Sequence, residues 1–413
     1  VSTDPVAPGP VSTDTASTDF ASTSGTGAEL SSLTTFRVGG PAARMVTLTD
    51  PATLADQVLE EWATGEDWLV LGGGSNVLVS DDGFDGTVLR VATRGVERIP
   101  TPERPGLAVL RVQAGEPWDA LVAQTVELGL AGLEALSGIP GSTGASPIQN
   151  IGAYGQEVAQ TLTAVEFLDY LSGDTVRIPA AELGFGYRTS VFKRGRQGVV
   201  TAVEFELVEG PDASGAPLSQ PVAYPQLAKA LGVELGARVP LADVRSAVLA
   251  LRASKGMVLD DADTDTWSAG SFFTNPIVTE HFARTLPADA PRWPVEHDVA
   301  DRVVELVGDH RDAYAVEDAV IELHRTRQER EAAGGPDVKL SAAWLIEHAG
   351  VRRGFRLPGS AAAISSKHTL ALTNTGGATA EQLAELARYV QGRVLAEFGI
   401  LLHPEPQLVN LTL

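Results

Sequence analysis

The sequence predicts a mixed chain of helices and strands, α/β or α+β, built as two or three domains. Three observations predict it. Helix-like and strand-like patterns are interspersed along the chain. Its 413 residues exceed the about 100–200 residues of an ordinary domain. Hydrophobic residues make up 44%, enough for real cores.

Residues 1–28 are rich in Ser, Thr, Ala, Gly and Pro, and Val-Ser-Thr-Asp occurs twice. Such a segment buries too little apolar surface to offset its ordering entropy, so a disordered tail is expected, with order from near Leu30. Asp50-Pro51 reads as an N-cap followed by proline at the first helical position. Leu54, Val58, Leu59 and Trp62 give that helix one apolar face. Trp68–Leu71 reads as a buried strand and Val77–Val79 as another. A helix from Pro117 to Leu128 should bury Trp118, Leu121, Val122 and Val126. Strands are expected around Val165–Leu168 and Val199–Leu207, and a loop over 208–222. Helical patterns cover 241–253, 299–306 and 315–333. Thr379 and Gln382 form a capping box for a helix reaching about Phe398. No long-period repeat is present.

The formal net charge is −22, which argues against a nucleic-acid or anionic-membrane surface. A small anionic substrate stays compatible, because a few local Arg and Lys can dominate one pocket. The chain has no cysteine, excluding a disulfide scaffold, a thiolate nucleophile and a Cys-ligated metal. The histidines show no ligand spacing, so no metal site is expected. No apolar run approaches the roughly 20 residues of a membrane span. No secretory signal is legible, and a cytoplasmic location is expected.

Gly72, Gly73, Gly74, Ser75 and Asn76 lie between two strand patterns, not between a strand and a helix. The loop therefore lacks the context of a dinucleotide fingerprint or a Walker loop. Successive glycines still let several N–H groups face one anion. On its own the loop fits such a nest or an ordinary tight hairpin equally well. A second stretch runs from Ile139, Pro140, Gly141 and Ser142 through Asn150, Gly152, Ala153, Tyr154 and Gly155 to Glu157. It is almost free of large side chains. That suits backbone approaching a large flat ligand better than a flexible surface loop, since Ile148 and Ile151 look buried.

With Leu33–Ala42 (LTTFRVGGPA), these two loops resemble the flavin-binding segments of the UDP-N-acetylenolpyruvoylglucosamine reductases. The likeness recurs in order from about residue 30 to 410. It implies an α+β fold: a two-part FAD-binding domain of the vanillyl-alcohol-oxidase type (29–94 and 95–240) and a smaller substrate-binding domain (241–403). Residues 404–413 would return to the active site. FAD would be non-covalent and held by the two loops. NADPH would be the reductant, a UDP-sugar enolpyruvyl ether the substrate, and a monomer the functional unit.

The resemblance also implies roles for single residues. Gly186–Phe192 is similar to the family's YRxSxF motif, placing Tyr187 at the substrate and Arg188 on its carboxylate. A planar cationic fork suits that task, although an isolated Arg here would read as a strand-end surface residue. Ala269–Pro276 resembles AGSFFKNP, with Thr274 in place of the usual Lys. Ser271 would then be the proton donor; alone it would read as a turn residue. Glu405 aligns with a C-terminal catalytic glutamate, but Pro406 and Gln407 depart from the family's Val and Arg. Outside the motif it would be an exposed acid in a proline-rich tail. Lys255 matches a diphosphate-contacting lysine, Asn275 a nucleotide-contacting asparagine and Tyr224 a tyrosine closing over substrate. Segments 339–350 and 365–368 look family-like; Trp344, Leu345 and Ile346 are read as core, and His368 is given no chemical role.

The implied chemistry is hydride transfer from reduced flavin to the terminal enolpyruvyl carbon. Arg188 and Glu405 would stabilise charge on the carboxylate and Ser271 would protonate the other carbon. The product, UDP-N-acetylmuramate, is a peptidoglycan precursor. Two rivals share the glycine loops: an FAD-dependent oxidase or dehydrogenase of an alcohol or sugar, and a non-enzymatic nucleotide-binding module. The first has no reason to carry the Arg188, Ser271 and Lys255 segments together, and the second explains the loops but not Ser271 or Glu405.

Overall fold

A computed structural model describes residues 27–209, 216–295 and 337–413. Residues 1–26 of the expected tail and the helical patterns at 299–306 and 315–333 lie outside them. The last two residues assigned to the tail are ordered. Gly27 donates its N–H to the Ala42 carbonyl at 3.2 Å, and Ala28–Glu29 pairs antiparallel with Pro41–Ala42. Order thus begins before Leu30, whose side chain is buried just after this short strand.

Strands Pro41–Leu48, Phe84–Val91 and Trp68–Leu71 form a parallel three-strand unit, with Phe84–Val91 in the middle. Helix Leu54–Ala63 is the crossover. It starts three residues beyond Pro51, because the Asp50 carboxylate accepts the Ala52 N–H at 2.9 Å and a turn forms first. Leu54 and Val58 are buried, and Leu59 and Trp62 half-buried, as one apolar face requires. Strand Val77–Val79 does not fold back on Trp68–Leu71. It pairs in parallel with Gln407–Val409 near the C-terminus, so the hairpin reading of Gly72–Asn76 is excluded.

The next unit is an antiparallel sheet in the order Thr175–Pro179, Leu162–Asp169, Gly198–Glu209, Leu107–Gln113 and Val96–Ile99. Gly198–Glu209 runs two residues into the expected loop, because Val208 and Glu209 find partners in Leu130–Ala131. Helix Trp118–Glu127 covers the sheet. Trp118 is buried edge-on against Phe205, with its indole N–H satisfied by the Leu136 carbonyl. Thr125 is buried there and Val126 only half-buried. Leu48, Leu54, Val58 and Leu89 of the first unit join Leu110, Trp118 and Phe205 in one core.

Helix Leu241–Ala253 has the predicted bounds. Its Val244 and Val248 pack on Ala135, Val222 and Leu227. Beyond it, strands Ile277–Thr279, Asp337–Leu340 and Arg292–Val295 form a small sheet beside helices Ala342–His348 and Ala380–Phe398. Thr379 and Gln382 make the predicted capping box, and Gly399 closes that helix at φ 70°. Leu345 and Ile346 are core, whereas Trp344 is half-buried and stacked on His348. Among the described residues no helix is long and apolar enough to cross a membrane.

Removing residues 1–26 is expected to leave turnover and thermal midpoint essentially unchanged, since the described cores lie outside that segment. A drop of several degrees on calorimetry would show that the segment docks on the folded part.

Candidate active site

The two glycine-rich loops face each other across a cleft of about 440 Å3. A Cβ on Gly73 would sit 2.6 Å from the Gly141 Cα, so only glycine lets the two backbones approach. Gly74 adopts φ 60°, and a Cβ there would strike the Leu33 carbonyl. Ser75 Oγ donates to the Pro140 carbonyl at 3.0 Å and Thr35 N–H to the Gly74 carbonyl at 3.0 Å, clipping the loops in place. The N–H groups of Gly73, Gly74, Ser75, Asn76, Gly141 and Ser142 have no acceptor among the described residues. Several backbone donors on facing glycine walls fit the diphosphate and polar ring edge of a flavin dinucleotide.

Gly72, Ile139, Pro140, Gly152, Ala153 and Tyr154 also line this cleft. Asn150 and Gly155 do not. Asn150, at φ 46°, turns inward, donating to the Glu157 carboxylate at 2.9 Å and the Gly186 carbonyl at 3.1 Å. It shapes the loop from behind. Gly155 backs onto Ala223.

Arg188 enters the cleft from a tight turn in which Gly186 and Thr189 bond each other. Its φ of 52° is unusual for a non-glycine residue. Nη1 and Nη2 donate to the carbonyls of Asn150 and Gly152 at 3.3 and 2.9 Å. Nε lies 3.2 Å from Glu405 Oε1, an ion pair too poorly aligned to be a hydrogen bond. Tyr187 sits behind the wall, its hydroxyl accepting the Asn275 N–H at 3.4 Å and its ring 4.8 Å from Lys339 Nζ. The Asn275 side chain accepts the Ala342 N–H at 3.0 Å. Tyr187 and Asn275 are thus brought together but do not line the cleft.

Ser271 and Glu405 reach the cleft on adjacent backbone segments. Glu405 N–H donates to the Phe272 carbonyl at 2.8 Å, and Thr274 N–H to the His403 carbonyl at 3.0 Å. Burial pushes the Glu405 carboxyl above the usual carboxylate range, opposed by Arg188 and Lys193. Lys193 Nζ donates to the Glu405 carbonyl at 3.1 Å, and burial lowers its ammonium. Gln149 Nε2 donates to Glu405 Oε1 at 3.1 Å.

At the other end, Lys255 Nζ donates to Gln226 Oε1 at 2.9 Å and lies 5.4 Å from the Tyr154 ring centre. Tyr224 meets Tyr154 edge-on at the rim and stays 41% exposed. Arg252 is only 8% exposed, with Nη2 on the Met257 carbonyl and Nε without an acceptor. Burial lowers it to about 10, so it remains cationic at neutral pH. His368 is half-buried and brought down to about 4 by burial and then by Lys255. Sequence reasoning assigned no role to Gln149, Lys193, Arg252 or His368. Arg252 did leave a signal: it continues the buried stripe Leu241, Val244 and Val248 at helical spacing.

Fold and site together define a flavin-binding protein with a second α+β unit closing a cationic cleft. The family model described as FAD binding domain matches residues 42–179. A second, described as UDP-N-acetylenolpyruvoylglucosamine reductase, C-terminal domain, matches residues 262–409. A curated UDP-N-acetylenolpyruvoylglucosamine reductase from Leifsonia xyli is 58% identical over 93% of this chain and 98% of its own. One from Saccharopolyspora erythraea is 49% identical over 94% and 96%. The crystal structure of UDP-N-acetylenolpyruvylglucosamine reductase from Thermus caldophilus superimposes with a TM-score of 0.56 and 25% identity, covering 92% of this chain and 97% of that one. The chain belongs to the UDP-N-acetylenolpyruvoylglucosamine reductase family.

Gly73→Val should lower flavin occupancy, because its side chain must push the Gly141 backbone away. Positive φ plays no part at Gly73; the constraint is close approach. The visible-to-ultraviolet absorbance ratio of purified protein reads the result, and wild-type occupancy would remove Gly73 from the flavin wall. His368 generates a second expectation. Its imidazole resists protonation in the folded state, so its contribution to stability is present above about pH 6.5 and fades as pH falls toward 4. His368→Gln should therefore lose less thermal stability than wild type between pH 6.5 and 4. Parallel melting-temperature profiles would contradict this.

Proposed function

We propose that this chain reduces UDP-N-acetyl-3-O-(1-carboxyvinyl)glucosamine to UDP-N-acetylmuramate, with non-covalent FAD as cofactor and NADPH as reductant. The observation that carries this reading is that Arg188, Ser271 and Glu405, far apart in sequence, line one cleft with both glycine loops. The near full-length match to relatives bearing the name of this activity supports it. When held between the two glycine loops, FAD would supply hydride chemistry, with NADPH as the hydride source and the terminal carbon of the enolpyruvyl double bond as its acceptor.

Arg188 provides a fixed positive charge for the substrate carboxylate as electron density moves into it. Its backbone-anchored fork needs little reorganisation to do so. Glu405, whose carboxyl burial biases toward the protonated form while Arg188 and Lys193 oppose that bias, presents its carboxyl to the same group. The Ser271 hydroxyl gives its proton to the second alkene carbon, and water in the cleft restores it. Hydride and proton thus add across one C=C bond. Lys255 meets the diphosphate and Tyr224 closes over it from the rim, while Tyr187 and Asn275 brace the wall that carries Arg188 from behind. Nicotinamide and UDP-sugar use the cleft in turn, since both present a diphosphate.

Ser271→Ala separates the half-reactions. It removes a proton source that the substrate step needs and flavin reduction does not. By stopped flow, flavin reduction by NADPH should stay near wild type, while reoxidation by the enolpyruvyl substrate falls about 10²–10⁴-fold, the usual worth of general acid catalysis. Equal slowing of both, or normal reoxidation, would remove Ser271 from the mechanism.

A further inference from the structure

We propose that Gln149 is a positioning residue for Glu405, and that Asn76 of the first glycine loop sets its orientation. The inference rests on Glu405 acting in the substrate half-reaction. Asn76 Nδ2 lies 3.2 Å from the Glu405 main-chain carbonyl, a group that can only accept. The Asn76 amide must therefore present its NH2 there. The same Nδ2 donates to Gln149 Oε1 at 2.6 Å. With its carbonyl turned to Asn76, Gln149 has only its NH2 left for the other side, where Nε2 donates to Glu405 Oε1 at 3.1 Å. Each amide is fixed by its neighbour, and the chain of bonds ends on an acceptor at both sides.

The relay joins three segments: the first glycine loop, the second, and the C-terminal stretch. It also distinguishes the two carboxyl oxygens. Oε1 accepts from Gln149 and faces Arg188 Nε at 3.2 Å, so a proton on this carboxyl resides on Oε2. The charged and titratable groups facing Glu405 are Arg188, Lys193 and Tyr187. The two cations favour its ionised form, and the Gln149 donor adds to them.

Two variants test this in the FAD-loaded enzyme. Gln149→Met removes donor and acceptor at similar volume. Gln149→Glu keeps an oxygen for Asn76 but places a second carboxyl against Glu405. Glu405 ionisation is read by NMR on protein labelled with carboxyl-¹³C glutamate, its resonance identified by loss in Glu405→Ala. The substrate half-reaction is followed by stopped flow across pH. Gln149→Met should raise the Glu405 pKa and slow that half-reaction about tenfold, the scale of one hydrogen bond to a charged group. Gln149→Glu should raise it further, as two carboxyls sharing a site cannot both ionise readily. In the Glu405→Ala background Gln149→Met should change the rate by no more than about twofold, because its effect runs through the missing carboxyl. If Met lowers flavin occupancy, the Glu variant carries the test. An unmoved Glu405 titration in both variants, or losses that multiply in the double variant, would overturn the proposal. Wild-type substrate reduction in Glu405→Ala alone would instead overturn the catalytic reading of Glu405, while the titration still reports on the relay.

Discussion

Everything in the cleft depends on one seam, where the C-terminal segment is joined on one side to the strand Val77–Val79 and on the other to the Phe272–Thr274 segment. On one side the Glu405 N–H bonds the Phe272 carbonyl; on the other the Gln407 N–H bonds the Asn76 carbonyl, and Gln407–Val409 continues in parallel with Val77–Val79. The seam brings a carboxyl and a hydroxyl to the glycine loops. Pro406 fits it without loss. It lies between the two residues whose N–H groups are used, where its missing donor costs no bond. Leu78, beside the seam, is buried in the same core as Phe272 and Leu402, so apolar packing fixes what the hydrogen bonds align.

The cleft inverts the charge of the protein around it. Against a formal −22 for the chain, its described lining carries four basic side chains, Arg188, Lys193, Arg252 and Lys255, and a single acidic one, Glu405. A low-dielectric pocket with such a lining concentrates small anions despite an acidic exterior. Burial shifts these groups: it lowers Lys193, Lys255 and Arg252 and raises Glu405. A bound anion would favour the cationic forms of Lys193, Lys255 and Arg252 against that burial.

Local pattern made much of this legible. The helical pattern over 241–253 matched its helix, and Thr379 with Gln382 marked the start of another, because helices are written in contiguous sequence. Gly72–Asn76 stayed ambiguous between nest and hairpin, because the true partner of the following strand lies at Gln407–Val409. The relay from Asn76 to Gln149 spans 73 residues and that from Gln149 to Glu405 spans 256, distances no periodicity reports. Arg252 was concealed as a polar residue on an apolar stripe. Asn150 was read as a flavin contact because it belongs to a flavin loop, yet its amide faces Glu157 and Gly186. Family likeness transfers positions more securely than the direction in which a side chain points.

In the proposed function, one cleft takes reducing equivalents from a nicotinamide and passes them to an enolpyruvyl UDP-sugar. Steady-state kinetics on the purified yellow protein, varying both substrates, tests it most directly. NADPH oxidation should require the enolpyruvyl substrate and yield UDP-N-acetylmuramate in equal amount. Double-reciprocal plots should give parallel lines, as alternating use of one site demands. NADPH consumption that ignores the UDP-sugar, or lines that intersect because both substrates bind at once, would contradict the account.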